Sequence, residues 1–224
     1  MLMFKQRTGD IMDRRGFFVT VEGGEGAGKT SAIGAIVQAA ADLGGAVVST
    51  REPGGIPIAE KIRELILDRS HTEMDSRTEA LLYAAARRQH LTQRVIPALQ
   101  SGQVVVCDRF IDSSLAYQGH ARGLGMAEVL AVNAFAVEGW MPDLTLYMDV
   151  RPEVGLARIQ ADASRELNRL DLEKLEFHRK VREGYLQLLE RYPERIVRID
   201  AESDLPVVLE EIRRLVNQKL AGRV

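Results

Sequence analysis

The chain has 224 residues, 46% of them hydrophobic, enough for one substantial core and pointing to a single domain. Lys and Arg total 30 against 32 Asp and Glu, a formal charge of −2, so no global basic field exists to hold a nucleic-acid backbone or an anionic membrane. The lone Cys107 leaves no internal disulfide and points to a reducing, cytoplasmic setting, and the longest charge-free run, the 13 residues Val95 to Cys107, is too short and too polar to span a bilayer.

Residues 1–15 carry Lys5, Arg7, Asp10, Asp13, Arg14 and Arg15, which break any apolar stretch, and they read as a loose tail without a secretory pattern. Residues 16–224 read as one α/β domain. A β-rich run from Gly16 to Glu22 ends in Gly23-Gly24, and Ile33, Ile36, Val37 and Ala40 mark a helix over Lys29 to Leu43. Ala46 to Thr50 is a second strand before the turn Glu52-Pro53-Gly54-Gly55. Helical patterns follow over Ile58 to Leu67 and Arg77 to Gln100, then a third strand, the wholly apolar Val104 to Cys107. A helix from Met126 to Val137 leads to a fourth strand, Leu144 to Asp149, closed by Pro152. A charged stretch from Arg158 to Arg182 and an amphipathic helix to Tyr192 precede a last strand, Arg195 to Ile199, and a terminal helix through Leu209, Ile212, Leu215 and Val216. This alternation predicts a five-stranded parallel sheet flanked by helices on both faces, with its chemistry at the carboxyl ends of the strands.

Gly23-Gly24-Glu25-Gly26-Ala27-Gly28-Lys29-Thr30 fits G-x-x-x-x-G-K-[ST] and lies between a strand and a helix. The glycines let successive backbone N–H groups and the positive helix end converge on one anion, Lys29 bridges the outer phosphates, and the Thr30 hydroxyl is a ligand for Mg²⁺. Nucleotide triphosphate binding follows, although this loop serves switches, motors and kinases alike. Asp108 and Arg109 close the third strand, a carboxylate placed to organise Mg²⁺ and a guanidinium facing a second phosphate; a strand-end ion pair is the alternative. Arg51 ends the second strand at the same edge, where a surface role competes. The spacing from Tyr83 to Arg87 puts ring and guanidinium on one helix face, suited to stacking on a base and bonding its edge, or to a packed tyrosine beside a solvated arginine.

These residues resemble the thymidylate kinase family, whose members move the γ-phosphate of ATP to dTMP. Besides the loop, the likeness rests on Thr50-Arg51-Glu52-Pro53-Gly54-Gly55, Tyr83-Ala84-Ala85-Ala86-Arg87-Arg88-Gln89-His90, Asp108-Arg109-Phe110, Ser113-Ser114-Leu115-Ala116-Tyr117-Gln118-Gly119 and Pro142 to Val150. The resemblance implies a P-loop NTPase fold, with Glu25 near the 3′-hydroxyl and the reacting phosphate, Tyr83 stacked on thymine, and Arg87 and Ser114 on the base edge. It further implies that Arg109, with Arg51, holds the acceptor phosphate, that Tyr117 packs where a 2′-hydroxyl would sit, and that Gln118 belongs to the same acceptor set. Tyr83 stands where the family often has phenylalanine.

Some members carry an arginine inside the loop. Position 26 here is Gly26, so the charge is expected from a lid over Arg158 to Asp171, with Arg165 and Arg169 ranked above Arg158 as catalytic arginines. Leu167-Asn168-Arg169-Leu170-Asp171 departs from the usual aspartate-arginine-apolar-glutamate run, with an insertion around Ala163-Ser164. The resemblance also implies a homodimer, to which the helix from Val129 to Val137 is a candidate contributor, as it is to the core. His71, His90, His120 and His178 lack metal-ligand spacing and read as surface or packing residues; Cys107 and Trp140 read as packing. The sequence reading is a cytoplasmic, Mg²⁺-dependent kinase for dTMP. A kinase for another monophosphate and a nucleotide-dependent switch are the alternatives, the latter weakened by the lack of a guanine-reading Asn-Lys-x-Asp segment.

Overall fold

A computed structural model describes residues 16–161 and 169–222. Among them five parallel strands form one sheet in the order β2-β3-β1-β4-β5: β1 Phe18–Gly23, β2 Val47–Arg51, β3 Val104–Asp108, β4 Leu144–Asp149 and β5 Ile196–Asp200. Every residue of β1 and β4 is buried, because helices cover both faces of the sheet and leave its central strands no solvent side. Helices α1 (Lys29–Asp42) and α9 (Leu205–Leu220) pack on one face against Phe17, Val19 and Val21. On the other, α4 (Ile96–Gln100) and α8 (Leu175–Arg191) pack with Phe18, Val105 and Cys107. The alternation of Phe17 and Phe18 between the two cores is the period-two signature of a strand. Parallel register sets Val21 opposite Asp108 and Asp108 opposite Arg51, while Gly23 faces Met148. The central strand therefore delivers the glycine loop to the middle of the carboxyl edge, flanked by Asp108 and Arg51.

Helices Met126–Val137 (α6) and strand β4 fall where the sequence places them. The helix expected over Arg77 to Gln100 is α3 (Ser76–His90), a π-helical turn over Leu91–Val95, and α4. Pro97 has no N–H to return to the preceding turn and its ring crowds a carbonyl there; the wider turn accommodates both. Sequence patterning missed the helix of Ile111–Ser114 (α5) and its π-helical continuation over Leu115–Ala121. The charged stretch beginning at Arg158 divides into the end of α7 (Pro152–Ala161), a short 3₁₀ turn over Arg169–Leu172, and the start of α8. Helix α2 spans Pro57–Leu67.

Candidate active site

The loop Gly23–Thr30 wraps the start of α1, with Gly28 as the cap residue in the left-handed region, φ 78°. Gly26 also has positive φ, 67°, and a Cβ there would lie 2.1 Å from the Gly155 carbonyl oxygen; a Cβ on Gly155 would lie 2.2 Å from the Glu25 carbonyl. Loop and α7 thus touch backbone to backbone, which leaves no room for a side chain at position 26. Lys29 Nζ donates to the carbonyls of Gly24 (2.9 Å) and Gly23 (3.3 Å). Burial, and then the neighbouring Arg109, push the Lys29 pKa below its ordinary value; an anion in the loop would relieve both.

Asp108 Oδ1 is buried and has no hydrogen-bond partner among the described residues. It shares the cleft with Lys29 and Thr30. An orphaned carboxylate oxygen is costly unless a ligand answers it, and a hard divalent cation suits an oxygen donor pair such as Asp108 and Thr30. No cluster of three or more His, Cys, Asp or Glu among the described residues can hold a metal alone. The donor set fits Mg²⁺ arriving with phosphate and water ligands, as its reluctance to dehydrate requires.

Arg109 is a non-glycine residue at φ 66°, a conformation that persists only where neighbours enforce it. Strand β1 does so: the Arg109 N–H donates to the Val21 carbonyl (3.0 Å) and the Phe110 N–H to Glu22 Oε1 (2.7 Å). Its guanidinium reaches back to the loop, donating to Gly23 O (2.9 Å), Glu25 Oε1 (2.6 Å) and Ser113 Oγ (3.3 Å), and lies 5.1 Å from the centre of the Tyr117 ring. Tyr117 Oη donates to the same Glu25 oxygen at 3.3 Å. Glu22, which the sequence reading passed over as a strand residue, also accepts from Ser113 Oγ (2.6 Å) and Tyr185 Oη (2.8 Å). Burial, with Asp112 nearby, pushes its pKa up to about 7.

From the loop the cleft, of about 420 Å³, extends to Tyr83, Arg87, Ser114 and Gln118. Arg87 is buried and almost saturated. Its Nε donates to Glu52 Oε2 (2.8 Å), Nη1 to Ser114 Oγ (3.1 Å) and to Asn133 Oδ1, and Nη2 to the Phe110 carbonyl (3.0 Å). Among the described residues four of its five N–H groups find partners, which leaves one for a ligand. His90 fixes Glu52 from behind, its ring between Glu52 Oε1 (2.9 Å) and Thr50 Oγ1 (2.7 Å); it is a hydrogen-bonding core residue. Arg88 turns away to Glu138 (2.9 Å). Burial, then Glu79, push the Tyr83 hydroxyl up to about 12, so its ring meets a ligand uncharged. Gln118 Nε2 donates to Glu79 Oε1 at 2.8 Å.

Arg51 lines the cleft and is held by Glu60 at 2.8 and 3.0 Å. Beside it stands Arg63, which no spacing or motif in the sequence marks: it projects from α2, donates to the Pro53 carbonyl at 3.1 Å, and has its pKa lowered by burial and then by Arg51. Two guanidiniums side by side in one cleft are a ready-made anion site.

The expected lid arginines part company. Arg158 lies on α7 at the loop, donating to the carbonyls of Ala201 (2.9 Å) and Gly26 (3.4 Å). Arg165 lies outside the described residues. Arg169 does not line the cleft; it is buried, donates from Nε to the Ile66 carbonyl (2.8 Å) and pairs with Glu79. Arg158 thus stands at the loop, while the buried carboxylate of Glu79 holds the Arg169 guanidinium away from it. A second groove, about 340 Å³, runs from Gly26 past Arg158 to Ala201, Leu205 and Val208; it too went unread in the sequence.

A glycine loop between β1 and α1, a lysine at the helix start, and an orphaned aspartate at the end of β3 define a P-loop nucleotide-binding protein, and a cluster of arginines lines the same cleft. The comparisons with known proteins carry this further. Residues 21–212 match the family model described as thymidylate kinase, and the chain belongs to that family. It is 62% identical over 207 residues to the thymidylate kinase of Halalkalibacterium halodurans, covering 92% of this chain and 99% of that protein. It is 58% identical over 199 residues to that of Clostridium novyi, covering 89% and 97%. The crystal structure of thymidylate kinase from Ehrlichia chaffeensis superposes with a TM-score of 0.74 at 29% identity, covering 91% of this chain and 99% of that one.

Proposed function

We propose that this chain phosphorylates dTMP to dTDP with ATP and Mg²⁺, a step in supplying dTTP. One observation carries the reading: a single cleft holds a triphosphate-binding loop at one end and, at the other, Arg109, Arg51 and Arg63 in front of a base pocket made by Tyr83, Arg87, Ser114 and Gln118. In the reaction an acceptor phosphate oxygen attacks the γ-phosphorus in line while the bond to the bridging oxygen breaks, so the protein's work is positioning and neutralising charge. The loop amides and Lys29 grip the donor. Arg109, fixed from both sides by β1, spans the loop and the acceptor, and Glu25 orients it together with Tyr117. Mg²⁺, held by Asp108 and Thr30 with phosphate and water, would neutralise the charge shared by the outer phosphates. Arg158 stands at the loop, and Arg165 is the further cation that the lid expectation assigns to the transferring group. The groove past Arg158 to Leu205 offers the donor base an apolar wall.

The base pocket favours a pyrimidine with two carbonyls. Arg87 keeps one N–H for a carbonyl, and the Gln118 amide keeps its Oε1 and one N–H, a pair that matches an N3–H beside a C=O. Tyr83 supplies the face on which the ring stacks. Buried Tyr117 closes the space beside the sugar, excluding a ribose 2′-hydroxyl. We further infer a homodimer. Leu81 on α3 and Phe135 on α6 are 57% and 89% exposed, with Val132 beside them, while Val129 and Val137 point into the core. Adjacent helices with such a face need a cover. The buried lone thiol, and the lack among the described residues of any helix long and apolar enough to cross a membrane, support a cytoplasmic setting. The test is ADP release with dTMP, dUMP, UMP, CMP and AMP as acceptors: dTMP should be turned over fastest, and preference for UMP or CMP, or ADP release independent of acceptor, would overturn the reading.

A further inference from the structure

Glu79 is a carboxylate sunk in α3 with 1% of its surface exposed, and the mechanism above does not use it. Taking such a charge out of water is costly unless it is paired and fully bonded. Its two oxygens are answered differently. Oε2 accepts from the guanidiniums of Arg169 and Arg122, the latter at 3.4 Å. Arg122 is itself anchored, to Glu173 at 2.7 Å and 4.5 Å from the centre of the Phe177 ring. Charge neutralisation is thus complete on one side of the group. Among the described residues Oε1 is left to a neutral partner, Gln118 Nε2, at 2.8 Å.

A primary amide is pseudo-symmetric: turned by half a revolution it exchanges donor for acceptor at little cost in shape. A carboxylate accepts and never donates, so it tolerates only the NH₂ side of Gln118. The amide then has one possible presentation to the cleft, Oε1 beside the remaining N–H. That presentation pairs with the N3–H and a flanking carbonyl of thymine. Cytosine offers a lone pair at N3 and an amino group at C4; it would set its N3 lone pair against Oε1, whereas a turned amide would pair with both. We propose that Glu79 is a specificity-determining positioning residue, which locks the Gln118 amide in the orientation that accepts thymine and rejects cytosine. The inference rests on the dTMP reading above.

The experiment measures kcat/KM for dTMP and for dCMP in wild type, Glu79→Gln, Glu79→Asp and Arg122→Gln. Glutamine at 79 can donate as well as accept and releases the amide; aspartate keeps the charge for the two arginines but withdraws from Gln118 by one methylene. Both should narrow the dTMP-to-dCMP ratio by about tenfold or more, the scale on which a buried unpaired polar contact discriminates substrates. Arg122→Gln touches only the Oε2 side, and its ratio should stay within about twofold of wild type. An equal loss on both substrates, with the wild-type preference intact, overturns the role of Glu79 alone. Should Glu79→Gln not fold, an unchanged ratio in Glu79→Asp overturns it. A wild type that does not prefer dTMP over dCMP overturns the substrate reading and this inference with it.

Discussion

Arg109 sits at φ 66° between two hydrogen bonds from its own and the next N–H to β1, and the second of these ends on Glu22. The carboxyl group of Glu22 has a pKa of about 7 in the fold against 4.5 as the ordinary value. Between those pH values the native state holds more protons at Glu22 than the unfolded chain, so the contribution of this group to stability is fully present below about pH 4.5 and is lost as pH rises through about 7. Glu22→Gln should remove that decline: urea midpoints at pH 5 and pH 8 should converge in the variant and differ in wild type, and an identical difference in both would contradict the assignment. That the loop, Asp108, Arg109, Tyr83 and Arg87 line one cleft was legible in the sequence from strand ends and helix spacing, whereas Gln118 entered only through the family resemblance. Glu22 and Arg63 were not legible. A glutamate at the end of an apolar run carries no mark of the serine and tyrosine that reach it from residues 113 and 185, and Arg63 becomes a cleft residue only through the packing of α2.

The fit between the glycine loop and α7 belongs to the scale of elements. Alanine is favoured over glycine inside a helix by about 1 kcal/mol, so Gly155→Ala would ordinarily stabilise α7. Here its methyl would meet the Glu25 carbonyl at 2.2 Å. The loop must shift, and kcat/KM for ATP should fall by about 100-fold, the cost of displacing a positioning group by roughly an ångström; initial rates at varied ATP check it, and wild-type kinetics in the variant would contradict the close approach. Apolar runs bounded by turn residues were read to within a residue, such as α6 and β4. The helix over Ile111–Ser114 and its π-helical continuation escaped because their buried face carries Asp112, Ser114 and Gln118 alongside Leu115 and Tyr117. Polar residues bonded inside the protein look like solvent-facing ones in a pattern of hydrophobicity. The same blindness affects Arg169: its charge suggests a phosphate, and only the tertiary placement of Glu79 shows the carboxylate that claims it.

At the scale of the molecule, the exposed Phe135 and Leu81 lie on helices whose other sides meet at the cleft, since Arg87 on α3 lines it and bonds Asn133 on α6. Phe135→Glu should convert a dimer to a monomer in sedimentation at micromolar concentration, and a monomeric wild type would contradict the shared face. The parallel sheet was implicit in the βα alternation, whereas its strand order and the pairing of α3 with α6 depend on contacts far apart in sequence. The central claim is that donor and acceptor are held by separate sets of cations in one cleft. Titrating Arg109→Ala with ATP and with dTMP tests it most directly: dTMP affinity and turnover should fall by about 100-fold, the loss typical of removing one transition-state donor, while ATP affinity stays near wild type. Unchanged turnover, or loss of both ligands by the same factor, would contradict it.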